Sequence, residues 1–554
     1  MPPNRKPYKG KEERLVVSVD IGTTFTAASW CILVPGQIPK FESIVRWPDQ
    51  FEGSAKVPSV VYYDESRKPR AFGARNIAEP TTEAEHRWLK LEWWKLVLRP
   101  AHLLPEFVFP ELPQGITVDK IFADFLSYIK ECLQKYMQDA VAGDKWGKLS
   151  LSLTLILTTP RCWLSEQQER MRVAAINSGL VESPQQVRFV SEAEAAVLYA
   201  ADTGRIREWL KASGLFGLLC LSGTIDISSY QVISAVPLQL EELTPAHCYV
   251  AGSVLINESA RKYIEERLLI NQLGADDADD PSEINSQFEA KKCHFKDPNK
   301  VMMLQVAGHI TTNLDITRGR LEIPGTKIAE FFDISLDAII KGMKSVISES
   351  RAQVNKVILV GGLASNIYVF SRIQKWAKDA GVIVIKPDGG NMKVVAEGAL
   401  AWHLDSSVAS RIAKYHYGTK TAIRFDSTNP DMEGRKVYFN PTGDCVVNGG
   451  WAGIGMKIRS KKEFGGWHHR ECTDDEEVDK FEFPIYAFTG TSPPLFIKKK
   501  GQRQLNPHFI HICTIKCNLQ ECYDQAKYRK SPTGRKYKII EVSPMIHFPT
   551  SYFS

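Results

Sequence analysis

The stretch LVVSVDIGTTF, Leu15 to Phe25, followed at once by TAASWCILV, Thr26 to Val34, decides how the chain is read. Leu15 to Asp20 is a short apolar, β-branched run that stops at an acid and Gly22. The next run has the same texture, so the pair reads as a β-hairpin. Asp20 to Phe25 carries the parts of a phosphate clamp: a carboxylate for a hydrated metal, a glycine that permits close approach, and the N–H and O–H donors of Thr23 and Thr24. The competing reading is a tight turn that uses Asp and Gly for conformation alone.

Outward from this hairpin, TVDKIFADFLSYIKECLQKYMQD places Ile121, Phe125, Tyr128, Ile129, Leu133 and Met137 on one face at helical spacing. LSLTLILTTP then reads as a strand stopped by Pro160, and SEQQERMRVAAINSGL as a helix that starts at Ser165 and ends at Gly179. VRFVSEAEAAVLYAAD, GLLCLSGTIDISSYQVI and VNKVILVGGLASNIYVFSRIQKWAKDAG continue the alternation, which predicts α/β layers around a largely parallel sheet. Beyond Ala413 the runs become short and strand-like, separated by Gly, Pro and Asn-Gly signals. The division expected is a solvated basic tail over residues 1–13, an α/β domain over 14–413 and a β-rich region over 414–554.

The 554 residues exceed one ordinary core at roughly 100–200 residues per domain. With 44% hydrophobic and 24% charged residues the composition is globular, which excludes collagen, mucin and coiled coil. The net charge of +6 lies entirely in the last quarter, where His416 to Ser554 holds 21 basic and 15 acidic residues. That sum implies no nucleic-acid field. The charged start MPPNRKPYKGKEER lacks the apolar core of a secretory signal, and no apolar run approaches the ~20 residues that span a bilayer. The expectation is a soluble cytoplasmic or nuclear protein without membrane insertion, its 11 cysteines reduced thiols.

A second glycine turn, Val360-Gly361-Gly362-Leu363-Ala364-Ser365-Asn366, ends a buried strand and opens a helix, so its paired glycines let a base or ribose lie against bare backbone. In order and spacing these segments resemble the nucleotide-binding domain of the 70-kDa heat-shock chaperones, within the actin and sugar-kinase superfamily. DIGTT is similar to the first phosphate loop and GTIDISSY to the second. VGGLASN resembles the adenosine loop, and VVAEGALAW the second connecting segment. The likeness covers about residues 14 to 406, and SEAEAA, VAEGA and the β-rich tail bring it closer to the divergent branch typified by heat-shock protein family A member twelve.

The resemblance implies an actin-like, ribonuclease H-like two-lobed α/β domain that binds ATP or ADP with Mg2+, followed by the β-rich region. Carried over by position, Asp20 would hold the hydrated metal, with Gly22, Thr23 and Thr24 at the phosphates. Glu192 would position metal or water as a catalytic residue, and Lys95 in LEWWKLVL would be the phosphate-facing lysine, the alternative being a solvent-facing helix lysine. Gly223, Thr224 and Asp226 would form the second phosphate turn. Glu289 with Lys291 or Lys292 resembles the helix that clasps adenine and ribose, and Gly361, Gly362 and Asn366 would line the other side.

This chain departs from the family at the second turn, reading Leu219-Cys220-Leu221-Ser222-Gly223-Thr224-Ile225-Asp226. Leu219 stands where the family keeps a second metal-organising carboxylate, and an isobutyl group can neither accept a hydrogen bond from metal-bound water nor balance its charge. Leu221 and Ser222 replace glycines, and at positive φ a Cβ costs roughly 1–2 kcal/mol. A loose clamp follows, and hydrolysis should suffer more than binding of the adenosine half, because phosphoryl transfer depends on positioning and charge neutralisation. The expected function is a nucleotide binder of chaperone-like or regulatory role with weak or absent hydrolysis. The alternatives are a pseudoenzyme interaction module, a slow Mg-ATPase and, from the shared first loop, a sugar kinase. No acidic-hydrophobic linker or helical lid follows, so the C-terminal region is expected to dock on the nucleotide domain or to recognise a protein client or other partner.

Two further patterns carry less chemistry. His508, His511, Cys513, Cys517 and Cys522 look like a metal cluster, but PHFIHICTIKC alternates as a strand, which separates Cys513 from Cys517 by ~13 Å. Shared zinc ligation needs sulfurs within about 4.6 Å. GGWAGIG, Gly449 to Gly455, lacks the Lys-Ser/Thr of a P-loop and reads as a turn with flanking strands.

Overall fold

The opening stretch forms β1 (Arg14–Ile21), which pairs antiparallel with β2 (Phe25–Leu33). Every residue of β1 after Arg14 is buried, the signature of a strand covered on both faces. The computed structural model describes residues 5–542 apart from 51–52, 76–86, 101–102, 104–110, 141–144, 164, 203–205, 207–209, 211–213, 236–237, 271–280, 307–315, 351–353, 387–392, 406–407, 460–467, 474–477, 491, 503 and 533. Among these residues the chain is a mixed α/β protein with several sheets and ten α-helices.

The first sheet runs β3 (Glu42–Ser43), β2, β1, β4 (Thr154–Thr159) and β5 (Val187–Ser191), with β1, β4 and β5 parallel. Helix α1 (Val118–Ala140) buries the face its periodicity marks, from Ile121 and Phe125 to Leu133 and Met137. Helix α2 (Ser165–Asn177) follows β4, and Gly179 turns the chain after it at φ 67°. Helix α3 (Glu192–Asp202) starts directly on the end of β5.

The second sheet repeats this plan. Strands β6 (Leu215–Leu221) and β7 (Ile225–Ala235) form an antiparallel hairpin, extended by β8 (Leu238–Glu242) and β9 (His247–Tyr249), both paired with β7. On its other side β6 pairs in parallel with β10 (Lys356–Val360), and β10 with β11 (Ile383–Ile385). Helices α4 (Ser253–Ile270), α5 (Pro281–Lys292), α6 (Gly325–Glu349), α7 (Ile367–Asp379) and α8 (Val394–Asp405) complete the unit. SEAEAA and VAEGA prove to be facing helix segments: a Cβ on Gly398 of α8 would lie 1.8 Å from the Ala195 carbonyl of α3, so only glycine admits that approach.

The unit ends at Val408 and a second begins at Ala409. There β12 (Val408–Arg424) pairs antiparallel with β14 (Cys445–Arg459) and β16 (Phe481–Phe488), with β13 (Val437–Phe439) on β14 and β17 (Phe509–Cys517) on β16. A separate antiparallel sheet comprises β15 (His468–Cys472), β18 (Tyr528–Lys530) and β19 (Lys536–Val542). GGWAGIG is no turn with flanking strands. It lies inside β14, Gly450 opposite Thr421 and Gly453 opposite Gly418.

Two sequence expectations are corrected here. Within the solvated tail, residues 1–4 lie outside the described residues, but Tyr8 exchanges backbone hydrogen bonds with Gln37 and Gly36, both 2.9 Å, and Arg5 stacks over Phe41 at 4.0 Å. Its aromatic and guanidinium groups give it something to bury. Cys162 and Cys248, 86 positions apart, form a disulfide, which linear spacing does not reveal. The last residues of the C-terminal region, 543–554, lie outside the described residues. Among the described residues no helix is long and apolar enough to cross a membrane.

Candidate functional site

The β1–β2 turn is a built loop. Gly22 N–H donates to the Phe25 carbonyl at 3.1 Å, and a Cβ on Gly22 would fall 2.3 Å from that oxygen. Ser59 fixes the loop from outside, its hydroxyl donating to the Gly22 carbonyl at 2.8 Å and its N–H to the Thr24 carbonyl at 2.9 Å. Asp20, at the end of β1, accepts 2.7 Å from the Thr158 hydroxyl of β4.

The β6–β7 turn meets it. A Cβ on Gly223 would lie 2.1 Å from Thr23 Oγ1, so the two turns touch through a bare glycine. Ser222 N–H donates to the Thr224 carbonyl at 2.9 Å, and Thr224 Oγ1 donates to Asp226 at 2.8 Å. The expected strain is absent: neither Leu221 nor Ser222 has positive φ, so a side chain fits at both and the turn is well hydrogen-bonded rather than loose. Leu219 also differs from expectation. It is opposite Ile227 in the ladder and buried with Leu221, Ile225 and Leu359, whereas Cys220, opposite Asp226, shares the face of the acidic residues.

Glu192, the first residue of α3, joins the second turn to Lys95. Lys95 Nζ donates to its Oε1 at 2.7 Å and the Ser222 hydroxyl to its Oε2 at 3.1 Å, and both partners of the ion pair are buried. Lys95 is therefore no solvent-facing lysine. It sits on the short 3₁₀ turn Trp94–Leu98, entered through Trp93 at φ 56°, a left-handed conformation costly for a bulky residue. Behind Asp226, the Arg161 N–H donates to its second oxygen at 3.0 Å, while the buried guanidinium bonds Glu242 and approaches Glu194 at 4.0 Å.

Burial, and then the neighbouring Glu192 charge, push the Asp20 carboxyl up, with Lys56, Lys95 and the Thr158 bond opposing. The same burial and Glu192 repulsion push Asp226 up to about 7 against the bonds from Thr224 and Arg161. Because the folded state holds this proton more tightly than the unfolded chain, the contribution of Asp226 to stability is full below its ordinary value of 3.8 and is lost as pH rises through about 7. In metal-free buffer, Asp226→Asn is expected to flatten the fall in stability across that window, read from urea midpoints. An unchanged slope would assign the fall to other groups.

On the other side of the turn, Gly361 has φ 94° and its Cβ would lie 2.3 Å from the Leu221 carbonyl, whereas a Cβ on Gly362 would meet nothing within 4 Å. Asn366 caps α7 through Val369 N–H at 3.0 Å, and its amide donates to the Lys292 carbonyl at 2.8 Å. Lys292 is buried and its ammonium bonds Ser253 Oγ at 2.7 Å and Asn257 Oδ1, so burial lowers its pKa. Lys291, exposed, reaches the Met303 carbonyl. Lys292 and Asn366 tie α4, α5 and α7 together, while Glu289 is half-buried on α5. Ser253 N–H in turn donates to the Ser222 carbonyl at 3.0 Å, which links this cluster to the second turn.

No protein-family model matches the chain, and no curated protein matches it.

Sequence reading missed Lys56, Ser59, Thr158 and Arg161. Lys56 carries no motif, yet with Lys95 it opposes the rise of the Asp20 carboxyl, and Lys95 is paired with Glu192. Only the doublet Thr158-Thr159 at a strand end, with Pro160-Arg161 after it, offered a signal, since polar groups where a parallel strand terminates lie at the functional edge of an α/β sheet. The arrangement gathers glycine backbone, hydroxyls, oxygen ligands and two lysines around buried carboxylates, which suits an anion accompanied by a hard cation better than an apolar ligand.

Proposed function

We propose that the first unit is a two-lobed, actin-like nucleotide-binding fold of the 70-kDa heat-shock chaperone type, and that it binds ATP or ADP with weak or absent hydrolysis. The observation that carries this reading is the repeated strand order of its two sheets, whose hairpin turns, Gly22 to Thr24 and Ser222 to Thr224, pack against each other through Gly223. A duplicated hairpin-plus-parallel plan with paired glycine turns is what a phosphate chain clamped from two sides requires. Gly362, whose Cβ would meet nothing within 4 Å, leaves bare backbone beside the second turn, consistent with the adenosine half.

The donor set fits magnesium: Asp20, Asp226 and the threonine hydroxyls offer only oxygen, and Asp20 would hold the ion through water. Bound there, magnesium would neutralise phosphate charge. Weak turnover is supported by how the acids are spent. Glu192 accepts from Lys95 and Ser222, and Asp226 from Thr224 and Arg161, so each spends part of its accepting capacity on protein donors rather than on water. Loss of one positioned acid–base group slows such reactions by ~10²–10⁴.

Calorimetric titration with ATP and ADP, each with and without magnesium, is expected to give saturable binding of both. Single-turnover ATP hydrolysis should run ~10²–10⁴ slower than with a free general base. Absence of binding by either nucleotide would instead make the site a structural core of an interaction module.

A further inference from the structure

Cys162 and Cys248 are singled out among the cysteines by where the fold puts them. Cys162 lies in the turn Pro160 to Trp163 that leaves β4 of the first sheet, and Cys248 is the middle residue of β9, in register with Asp226 of the second sheet. Their Cα atoms are 5.7 Å apart, a separation ordinary for a disulfide. None of the nine other cysteines is in a disulfide, so the pair is no part of a disulfide framework. In a reducing compartment an isolated disulfide is usually a transient, redox-responsive link.

We propose that Cys162 and Cys248 are a reversible redox modification site, a dithiol that low-molecular-weight disulfides such as oxidised glutathione convert to a covalent tie between the two sheets of the first unit. Cys248 is half-buried and Cys162 buried, which sets the order of events. The Cys248 thiolate attacks one sulfur of oxidised glutathione, giving a mixed disulfide and one glutathione thiolate, which takes up a proton. The Cys162 thiolate then attacks the Cys248 sulfur and expels the second glutathione. The two protein thiols lose two electrons and two protons, and the oxidant leaves as two thiols.

A metal is the competing use, because both sulfurs and an Asp226 oxygen lie within 4.8 Å of one another. In the disulfide neither sulfur is the thiolate that a metal would take, so the bonded pair cannot ligate one and the two uses compete only in the reduced form. The tie reinforces a junction that Arg161 already bridges, adjacent in sequence to Cys162 and bonded to Asp226 and Glu242. The site goes beyond nucleotide binding and its formation does not depend on it.

The test incubates the full chain with oxidised glutathione, then maps peptides by mass spectrometry and follows backbone hydrogen exchange, without nucleotide. The expected result is a Cys162–Cys248 linked peptide, removed by dithiothreitol and absent from Cys248→Ser, with exchange over 161–163 and 247–250 slowed about tenfold on oxidation. If Cys162→Ser does not fold, Cys248→Ser at the more exposed position gives the same reading. Two free thiols while exposed Cys293, Cys513 and Cys522 become glutathionylated would overturn the proposal. So would one zinc retained per chain and released only on replacing either cysteine.

Discussion

Replacing Leu219 with aspartate is expected to destabilise the first unit by about 4 kcal/mol and to restore no hydrolysis. Leu219 is 1% exposed and belongs to the apolar cluster that holds Leu221, Ile225, Ile227 and Leu359. Truncating a leucine so placed costs about 2–5 kcal/mol in lost burial and residual cavity. A carboxyl left unpaired there adds about 1–3 kcal/mol, limited because it would bind a proton rather than stay charged. Side chains alternate along a strand, so the acidic face belongs to Cys220 and Asp226, and an aspartate at 219 points away from it. Burial and then the Glu192, Asp226 and Asp20 charges raise the Cys220 thiol pKa, the mark of a group set among anions. Urea unfolding of Leu219→Ala and Leu219→Asp separates the terms: the alanine variant measures the cavity, and the aspartate variant should lose more. An aspartate variant as stable as the parent that hydrolyses ATP would show that position 219 reaches the phosphates.

The position of Leu219 shows which features the sequence made legible and which it did not. LVVSVDIGTTF declared its hairpin because a β-branched run ending in Asp and Gly has few other folds, and α1 declared its face because six apolar residues recur at helical spacing. A motif alignment places Leu219 in a loop, but the loop's chemistry depends on which face of β6 each residue takes. Face follows from pairing register, and an offset of one residue inverts it. Lys95 and Glu192 were each nameable, yet their contact spans 97 positions and depends on a 3₁₀ turn entered by Trp93 at positive φ, a conformation no propensity predicts for tryptophan. Lys56 and Ser59 lack any local pattern because their roles come from a loop that closes over Gly22. The tail near Tyr8 was misread for a related reason: its composition is polar, but one aromatic and one guanidinium suffice to anchor it.

Lys95→Met is expected to cost about 3–5 kcal/mol at neutral pH, because it leaves the Glu192 carboxylate buried without its cation. The side chains of the pair are 2% and 5% exposed, so water does little to soften the loss. Two more buried acids share the field: Lys95 is among the influences that lower Asp20 and Asp226, and its removal raises both further. A carboxyl raised in the folded state stabilises most where it is protonated, so the penalty of Lys95→Met should shrink toward acid and grow toward alkali. Adding Glu192→Gln should recover about 2 kcal/mol or more, since the double variant has neither charge to bury. Chemical unfolding of the parent, both single variants and the double variant between about pH 5 and pH 8 closes the cycle. A penalty constant over that range, unrelieved by Glu192→Gln, would mean that Lys95 acts through its packing over Trp163, whose ring lies 5.4 Å from the ammonium, and not through its charge.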